Sequence, residues 1–122
     1  MIIKRIIFIS LLLLLISCNN DRVVFLVEQP SQKSLDNKLI KIELNNKLIY
    51  NDKLIYTDIA SKFEEIVSNY SSDKNALKVN IMDTIFKYEL SLKDRYVILS
   101  PYLKEGKIMI GALKRENKFN LE

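Results

Sequence analysis

The chain has 122 residues, with 19 lysines and arginines against 15 aspartates and glutamates, one cysteine and no histidine. The lack of histidine excludes Ser–His and Cys–His nucleophiles, and a lone cysteine excludes an internal disulfide. Basic and acidic residues are interspersed along the chain, and the formal net charge is +4. This distribution argues against a nucleic-acid partner.

The first 17 residues have the pattern of a secretory signal. Lys4 and Arg5 precede an apolar run over residues 6–16 that only Ser10 interrupts. A basic start, an apolar stretch of roughly 7–15 residues and a small residue before the cleavage site define such signals. The run is shorter than the about 20 residues that a membrane-spanning helix needs. We therefore expect residues 1–17 to be a removable signal peptide.

The end of this run resembles the lipobox of bacterial prolipoproteins. Leu15-Ile16-Ser17-Cys18 has leucine at −3, a small residue at −1 and cysteine at +1. The resemblance implies that Cys18 receives a diacylglycerol and that signal peptidase II cuts between Ser17 and Cys18. It also implies a further fatty acyl group, such as palmitate, on the new amino terminus. Several acyl chains hold a protein durably, whereas one chain binds a membrane only marginally. The resemblance identifies no family for the rest of the chain.

Acylation would place the protein at a cell membrane, exported and lipid-anchored. Asn19, and not aspartate, follows the cysteine, which favours the outer membrane (its periplasmic face or surface) in a cell with two membranes. Residues 18–22 are the expected tether. At about 3.3–3.6 Å per extended residue, they keep the following domain within roughly 15 Å of the lipid.

Residues 23–122 are expected to form one small β-rich domain. The expected class is mainly β with one helix (α+β), an antiparallel sheet or sandwich built from hairpins. Residues 23–27 are predicted to be a strand and residues 29–38 a loop.

Short repeats of Lys-Leu-Ile follow, at residues 38–40, 47–49 and 53–55. Asn45-Asn46 and Asn51-Asp52 separate them, and these residue types tolerate the positive φ of tight hairpin turns. A turn at Asn45-Asn46 pairs Ile42 with Ile49 and Glu43 with Leu48. Leu39, Leu48 and Tyr50 then point outward, either as a contact patch or beneath a second layer.

The spacing of apolar residues changes over residues 58–70. Apolar side chains fall on one helical stripe, and the segment is predicted to be a helix, with another strand as the alternative. The members of the stripe are Ile59, Phe63, Ile66, Val67 and Tyr70.

The second half alternates apolar and polar residues and predicts a four-strand meander over residues 77–114. Turns at Asp83-Thr84, Lys93-Asp94 and Glu105-Gly106 connect its strands. The first turn sets Leu77 opposite Leu90 and Lys78 opposite Glu89. The second sets Leu90 opposite Val97, and the third sets Leu103 opposite Ile108. Gly111 is expected at a bulge or a close backbone contact.

No set of residues predicts catalysis, and neither a metal nor a cofactor is expected. Glu64 and Glu65 are adjacent and point different ways, so they do not suit the paired carboxylates of a glycosidase. Asp52, Asp58, Asp83 and Asp94 lie at predicted turns or caps, where aspartate has a local backbone role.

The function expected from these observations is a non-enzymatic binding or envelope-structural module. Its partners would be membrane lipid, through acylated Cys18, and another envelope protein. The alternative is an inhibitor or immunity protein that blocks a hydrolase or toxin at the envelope. A wall hydrolase that uses carboxylates is the least favoured reading.

Overall fold

The computed structural model describes residues 21–59 and 62–117, which form eight strands and a 3-10 helix at Lys33–Leu35. The strands are β1 (Arg22–Glu28), β2 (Leu39–Leu44), β3 (Lys47–Lys53), β4 (Phe63–Asn69), β5 (Asn75–Ile81), β6 (Thr84–Leu90), β7 (Tyr96–Lys104) and β8 (Lys107–Arg115).

The strands form a two-layer sandwich. Sheet A has the order β4-β1-β7-β8, and sheet B has the order β3-β2-β5-β6. Their pairings are antiparallel apart from β1 with β7, which run parallel. The expected mainly β class is confirmed, and so is the strand at residues 23–27.

The core lies between the sheets because alternate residues of each strand point inward. β1 contributes Val23, Phe25 and Val27, all fully buried, and β2 contributes Ile40 and Ile42 from the other sheet. The remaining buried members are Leu35, Leu44, Leu54, Tyr70, Leu77, Val79, Ile81, Leu90, Val97, Leu99 and Ile108.

The helix expected near residues 58–70 is wrong where the structure describes that segment. Phe63–Asn69 is strand β4, and it pairs with β1 along its whole length. Ile66 packs partly against the core, whereas Val67 points outward and is 50% exposed. β1 is a central strand whose backbone needs hydrogen-bond partners on both edges, and this tertiary pairing outweighs the helical spacing.

The meander expected over residues 77–114 is wrong at its middle turn. β5 and β6 belong to sheet B while β7 and β8 belong to sheet A, so Leu90 does not pair with Val97. The chain crosses between the sheets at residues 91–95, and β7 pairs with β1 instead. A strand with alternating apolar residues can bury them next to β6 or next to β1, so the pattern does not select the neighbour of β7.

The β5–β6 hairpin forms, but its turn is Met82-Asp83 and its register differs by two residues from the expected one. Leu77 pairs with Tyr88, and Lys78 does not face Glu89. A shift of two leaves the same side chains on the inner face, so burial does not distinguish the two registers.

The other two hairpin turns are as expected. Asn45-Asn46 has positive φ at both residues, and Glu43 pairs with Leu48. A bulge then places Tyr50, and not Ile49, opposite Ile42, and Asn51-Asp52 continues β3 instead of forming a turn.

At the third turn, Leu103 pairs with Ile108, and Gly106 has a φ of +78°.

Candidate functional site

The residues expected to carry the anchor lie outside the part that the structure describes. These are Leu15, Ile16, Ser17 and Cys18, together with the signal peptide and the start of the tether. The described chain begins at Asp21, and β1 starts at the next residue. Among the described residues, no helix is long and apolar enough to cross a membrane.

The carboxylates are dispersed over the described surface. Glu64 and Glu65 occupy consecutive positions of β4 and so point to opposite faces of sheet A. Asp94 accepts a hydrogen bond from the Ser91 backbone N–H at 2.9 Å, which is the turn role expected for it. Within residues 21–59 and 62–117, no group of three or more histidines, cysteines or acids could hold a metal.

A buried polar cluster centres on Asn75, which is 2% exposed. Its side-chain oxygen accepts hydrogen bonds from Asn45 Nδ2 at 2.8 Å and from the Ser71 backbone N–H at 3.1 Å. Its own Nδ2 donates to the Ser72 carbonyl at 2.8 Å. These hydrogen bonds tie the β2–β3 turn to the β4–β5 connection, and Nδ2 also lies 3.4 Å from the Leu90 carbonyl on β6, so this cluster is structural.

Three tyrosines have a raised pKa. Burial raises the pKa of Tyr50, with smaller contributions from Glu64 and Asp52. Burial alone raises the pKa of Tyr88, and burial with the Asp94 carboxylate raises that of Tyr70. A raised pKa keeps each phenol neutral at physiological pH, so none is an activated base.

The contact patch expected from Leu39, Leu48 and Tyr50 does not form. Leu39 and Leu48 are exposed on sheet B, at 45% and 51%, but each has a charged cross-strand neighbour, Lys53 and Glu43 respectively. Tyr50 points inward and packs partly against the core. These three residues therefore neither form a contact patch nor lie beneath a second layer.

The outer surface of sheet A is different, and we call it the apolar face. Nine side chains define it: Val24, Leu26, Phe63, Val67, Tyr96, Ile98, Tyr102, Met109 and Leu113. Cross-strand pairing arranges most of them in three rows, Val67–Val24–Tyr96, Leu26–Ile98–Leu113 and Tyr102–Met109. The first two rows are adjacent, and the polar pair Glu28 and Ser100 separates them from Tyr102–Met109.

Four members of the apolar face are strongly exposed. Leu113 is 55% exposed, Val67 50%, Tyr102 41% and Met109 39%. Leu26 lies at the centre and is only 8% exposed, because the side chains around it cover it. A solvent-facing surface built in this way is typical of a site where another molecule binds.

Polar groups border the apolar face at defined places. Glu65 is the cross-strand neighbour of Leu26 on the β4 side, and Arg115 is the neighbour of Tyr96 on the β8 side. Between the rows, Ser100 donates a hydrogen bond from Oγ to Glu28 Oε2 at 2.8 Å. An apolar centre with a charged border is the usual composition of a protein interface.

Gly111 interrupts the outer side of β8 between Met109 and Leu113. The structure shows neither the bulge nor the close contact expected for it. Gly111 pairs regularly with Ser100, and an added Cβ would meet that residue at 3.8 Å, an ordinary van der Waals distance. Packing within the chain therefore does not require a glycine at this position of sheet A.

The outer surface of sheet B is polar by comparison. It carries Lys41, Glu43, Asn51, Lys53, Lys78, Asn80 and Lys87, with isolated leucines and isoleucine between them. Lys78 and Glu43 form an ion pair at 3.8 Å there. On sheet B, polar residues therefore separate the exposed apolar side chains, whereas on sheet A apolar residues are cross-strand neighbours.

Sequence reasoning missed the apolar face, although a signal exists. Residues 23–27 and 96–99 are continuous apolar runs, which are typical of strands covered on both faces. Their adjacency depends on the parallel pairing of β1 with β7, which the sequence does not reveal. No family model, curated protein or solved structure matches the chain.

Proposed function

We propose that this protein is a membrane-anchored bacterial lipoprotein whose exported domain acts by binding another envelope protein, without catalysis. The observation that carries the binding role is the apolar face of sheet A, which stands in contrast to the polar outer surface of sheet B. Contact with a protein partner would bury Val67, Met109 and Leu113, which are 39% to 55% exposed.

The anchor rests on Cys18 and its lipobox. Arg22, the first residue of β1, follows Cys18 by only four residues, so the end of sheet A at which β1 begins faces the bilayer. In this orientation the strands of sheet A run away from the lipid. The apolar face is then turned sideways, and not toward the bilayer. A partner in the same membrane can reach it without a long linker.

The anchor is tested with wild type and Cys18→Ala. Wild type should incorporate labelled fatty acid, fractionate with membranes and have the mass of a chain cut after Ser17. Cys18→Ala should lose the label and retain the leader, because signal peptidase II requires the acylated cysteine. Unlabelled wild type in the soluble fraction would remove the basis for an anchor.

The binding role is tested with a photo-reactive amino acid at Ile98, inside the apolar face, in cells. Ile85 is a matched control, because it is 50% exposed and lies on the outer surface of sheet B. Protein adducts should form from position 98 and not from position 85. Leu113→Lys should abolish them, since a charge is costly to bury in an interface. Equal labelling from both positions would contradict the proposal.

A further inference from the structure

We propose that the partner adds an extended segment to sheet A along the open edge of β8, antiparallel to that strand. The segment has a carboxylate near each end and an aromatic side chain opposite Gly111. This inference deepens the proposed function and rests on it, since the segment belongs to the envelope protein that covers the apolar face. The backbone of β8, the charges along the sheet edges and the glycine at position 111 carry it.

The outer edge of β8 has backbone hydrogen-bonding groups without a partner among the described residues. The Val24 N–H donates to the Arg95 carbonyl at 2.8 Å, so Arg95 and every second residue after it face β1. Ser100 lies between such residues and therefore faces β8, where it pairs with Gly111. Alternate residues of β8 thus point their N–H and C=O groups away from β7. These residues are Ile108, Ile110, Ala112 and Lys114.

An extended backbone is the shape that matches this edge. The outward groups repeat every second residue, at a spacing of about 6.8 Å. Another strand presents its own donors and acceptors at the same spacing, and main-chain hydrogen bonds of this kind are a common source of affinity for peptides. Antiparallel pairing is slightly more stable per residue than parallel pairing.

β8 lacks the features that keep the other sheet edges from pairing. Residues 108–113 are six consecutive uncharged residues in the middle of the strand. In contrast, β4 carries Glu64 and Glu65, β6 carries Lys87, and a bulge interrupts the pairing of β3. Charges and bulges are the usual protection of an exposed edge. Of the four described edges, β8 is therefore the one suited to receive a strand.

A strand added at β8 would bury apolar surface on both of its faces. On the outer side it extends the apolar face beyond Met109 and Leu113. On the inner side it lies next to Ile110, which is half-buried, and Ala112, which is exposed. β6 is the edge of sheet B on the same side of the sandwich, because β3 and β4 contact each other on the opposite side. Its inward Phe86 is also half-buried, so apolar surface of both sheets is accessible here.

Gly111 determines which side chain fits opposite it. An antiparallel strand has its hydrogen-bonded pairs at Ile110 and Ala112, so the pair at Gly111 is not hydrogen-bonded, and its Cα atoms are only about 4.5 Å apart. An aromatic ring opposite an edge glycine covers its backbone, and here it would also contact Met109 and Leu113. Packing within the chain does not require this glycine, and the close approach of a partner's backbone accounts for it.

The ends of β8 select an acidic segment. Lys107 and Lys114 flank the uncharged middle, and neither forms an ion pair with a described residue. A carboxylate near each end of the added strand would lie opposite one of these lysines. A second copy of this chain fits poorly, because its own β8 brings lysines and no carboxylate to the contact.

The test uses the acylated mature protein, verified by mass, in lipid nanodiscs. The probe is a fluorescent peptide, Glu-Val-Val-Tyr-Val-Thr-Val-Glu, which sets its glutamates opposite Lys114 and Lys107 and its tyrosine opposite Gly111. It should bind saturably, and the same peptide with lysine at both ends should bind at least about fivefold more weakly. Absence of saturable binding would overturn the inference, and equal binding of the two peptides would overturn the acidic segment.

Hydrogen exchange measured by NMR identifies the edge that the peptide occupies. With saturating peptide, the amides of Ile108, Ile110 and Ala112 should exchange at least about tenfold more slowly, because each gains an acceptor. The amides of Met109 and Gly111 already face β7, so they are the matched control and should change little. Slowing without this alternation, or none, would contradict strand addition at β8.

Ala112→Pro removes one outward N–H from the edge. It should lower the affinity for the peptide at least about fivefold, whereas Ala112→Ser keeps the N–H and should bind as wild type does. The denaturation midpoint should stay close to that of wild type, because proline is tolerated where the N–H of an edge strand faces solvent. Full affinity in Ala112→Pro would overturn the inference, and the exchange pattern of wild type decides the matter if proline disturbs the fold.

Gly111→Val tests the position of the aromatic side chain. Wild type should bind the tyrosine peptide at least about threefold more tightly than a peptide with alanine in its place. In Gly111→Val this difference should vanish, because valine occupies the space over the backbone. A tyrosine preference that survives in Gly111→Val would contradict the proposed register.

In cells, the photo-reactive amino acid at Ile98 separates this inference from the proposed function. Adducts to an envelope protein that disappear in Ala112→Pro support strand addition. Adducts that persist undiminished would overturn it and leave the proposed function intact. A photo-reactive residue at position 112 that captures only a second copy of this chain would overturn the acidic partner. Absence of every adduct from position 98 would contradict the proposed function, while peptide binding still decides whether β8 accepts a strand.

Discussion

Tyr70 secures the crossover between the sheets from inside the protein. It is 3% exposed, and its hydroxyl donates a hydrogen bond to the backbone carbonyl of Asp94. Burial, with the nearby Asp94 carboxylate, raises the pKa of Tyr70 well above its ordinary value of 10.0. The folded protein therefore retains a phenol proton that the unfolded chain releases at alkaline pH.

The raised pKa of Tyr70 makes the free energy of unfolding depend on pH in a predictable direction. Below about pH 10 both states hold the proton, and above it the unfolded chain is favoured, so the free energy of unfolding should fall as pH rises. Tyr70→Phe should reduce that fall and lower stability at neutral pH by about 1 kcal/mol, from the lost hydrogen bond. Urea denaturation of residues 19–122 between pH 8 and pH 11 measures both effects, with Tyr102→Phe on the surface as control. An unchanged alkaline slope in Tyr70→Phe would contradict this assignment.

Substitution of Asn75 is expected to destabilise the fold. Asn75→Ala should lower the free energy of unfolding by about 1–3 kcal/mol, because it removes the hydrogen bonds that Asn75 makes with the Ser71 N–H and Asn45 Nδ2. Asn80→Ala, on the outer side of the same strand, should have a much smaller effect. Chemical denaturation compares the two, and equal losses would show that the Asn75 cluster does not hold the turn in place.

At the scale of elements, the β5–β6 turn uses an unfavourable residue. Met82 and Asp83 have φ values of 50° and 62°, a conformation that favours glycine and asparagine. Met82→Asn should therefore raise the free energy of unfolding by about 1 kcal/mol. The reverse change at the β2–β3 turn, Asn46→Met, should lower it by a similar amount. A loss of stability in Met82→Asn would show that the methionine side chain contributes more than its backbone strain removes.

The same turn shows why the hairpin register could not be predicted. The sequence favours a turn at Asp83-Thr84 because that register pairs every apolar residue and sets Lys78 opposite Glu89. In the fold, Lys78 has β2 on its other side and pairs with Glu43 at 3.8 Å. The charge partner came from a neighbouring strand that is distant in sequence, and a two-residue shift changes no inner-face residue.

β4 shows that the spacing of apolar residues does not by itself distinguish a strand from a helix. Ile66 and Val67 belong to a helical stripe, but the segment pairs with β1 and sends these two side chains to opposite faces. A short segment with apolar residues at mixed spacing satisfies both periods. Only the open edge of β1 decides between them, because its backbone groups require a partner.

For the whole molecule, stability depends on packing between the two sheets, because a chain with one cysteine forms no internal disulfide. Phe25 is fully buried at the centre of β1. Phe25→Ala should lower the free energy of unfolding by about 3–5 kcal/mol, through lost burial and a cavity. Val67→Ala, on the apolar face, should lower it much less. Denaturation of residues 19–122 tests the contrast, and similar losses would place the face inside the folding core.

The sequence by itself determined the strands other than β4, the two hairpin turns at Asn45-Asn46 and Glu105-Gly106, and the side chains that point inward on most strands. These features are local, since alternation and positive-φ residues act within a few positions. The prediction of an anchor at Cys18 is equally local. Only the tertiary structure decided which strands are neighbours, and so that the exposed side chains of β1, β4, β7 and β8 join into one apolar face. Neighbouring strands are chosen by pairing between distant segments, and the hydrophobic pattern of one strand is satisfied by several partners.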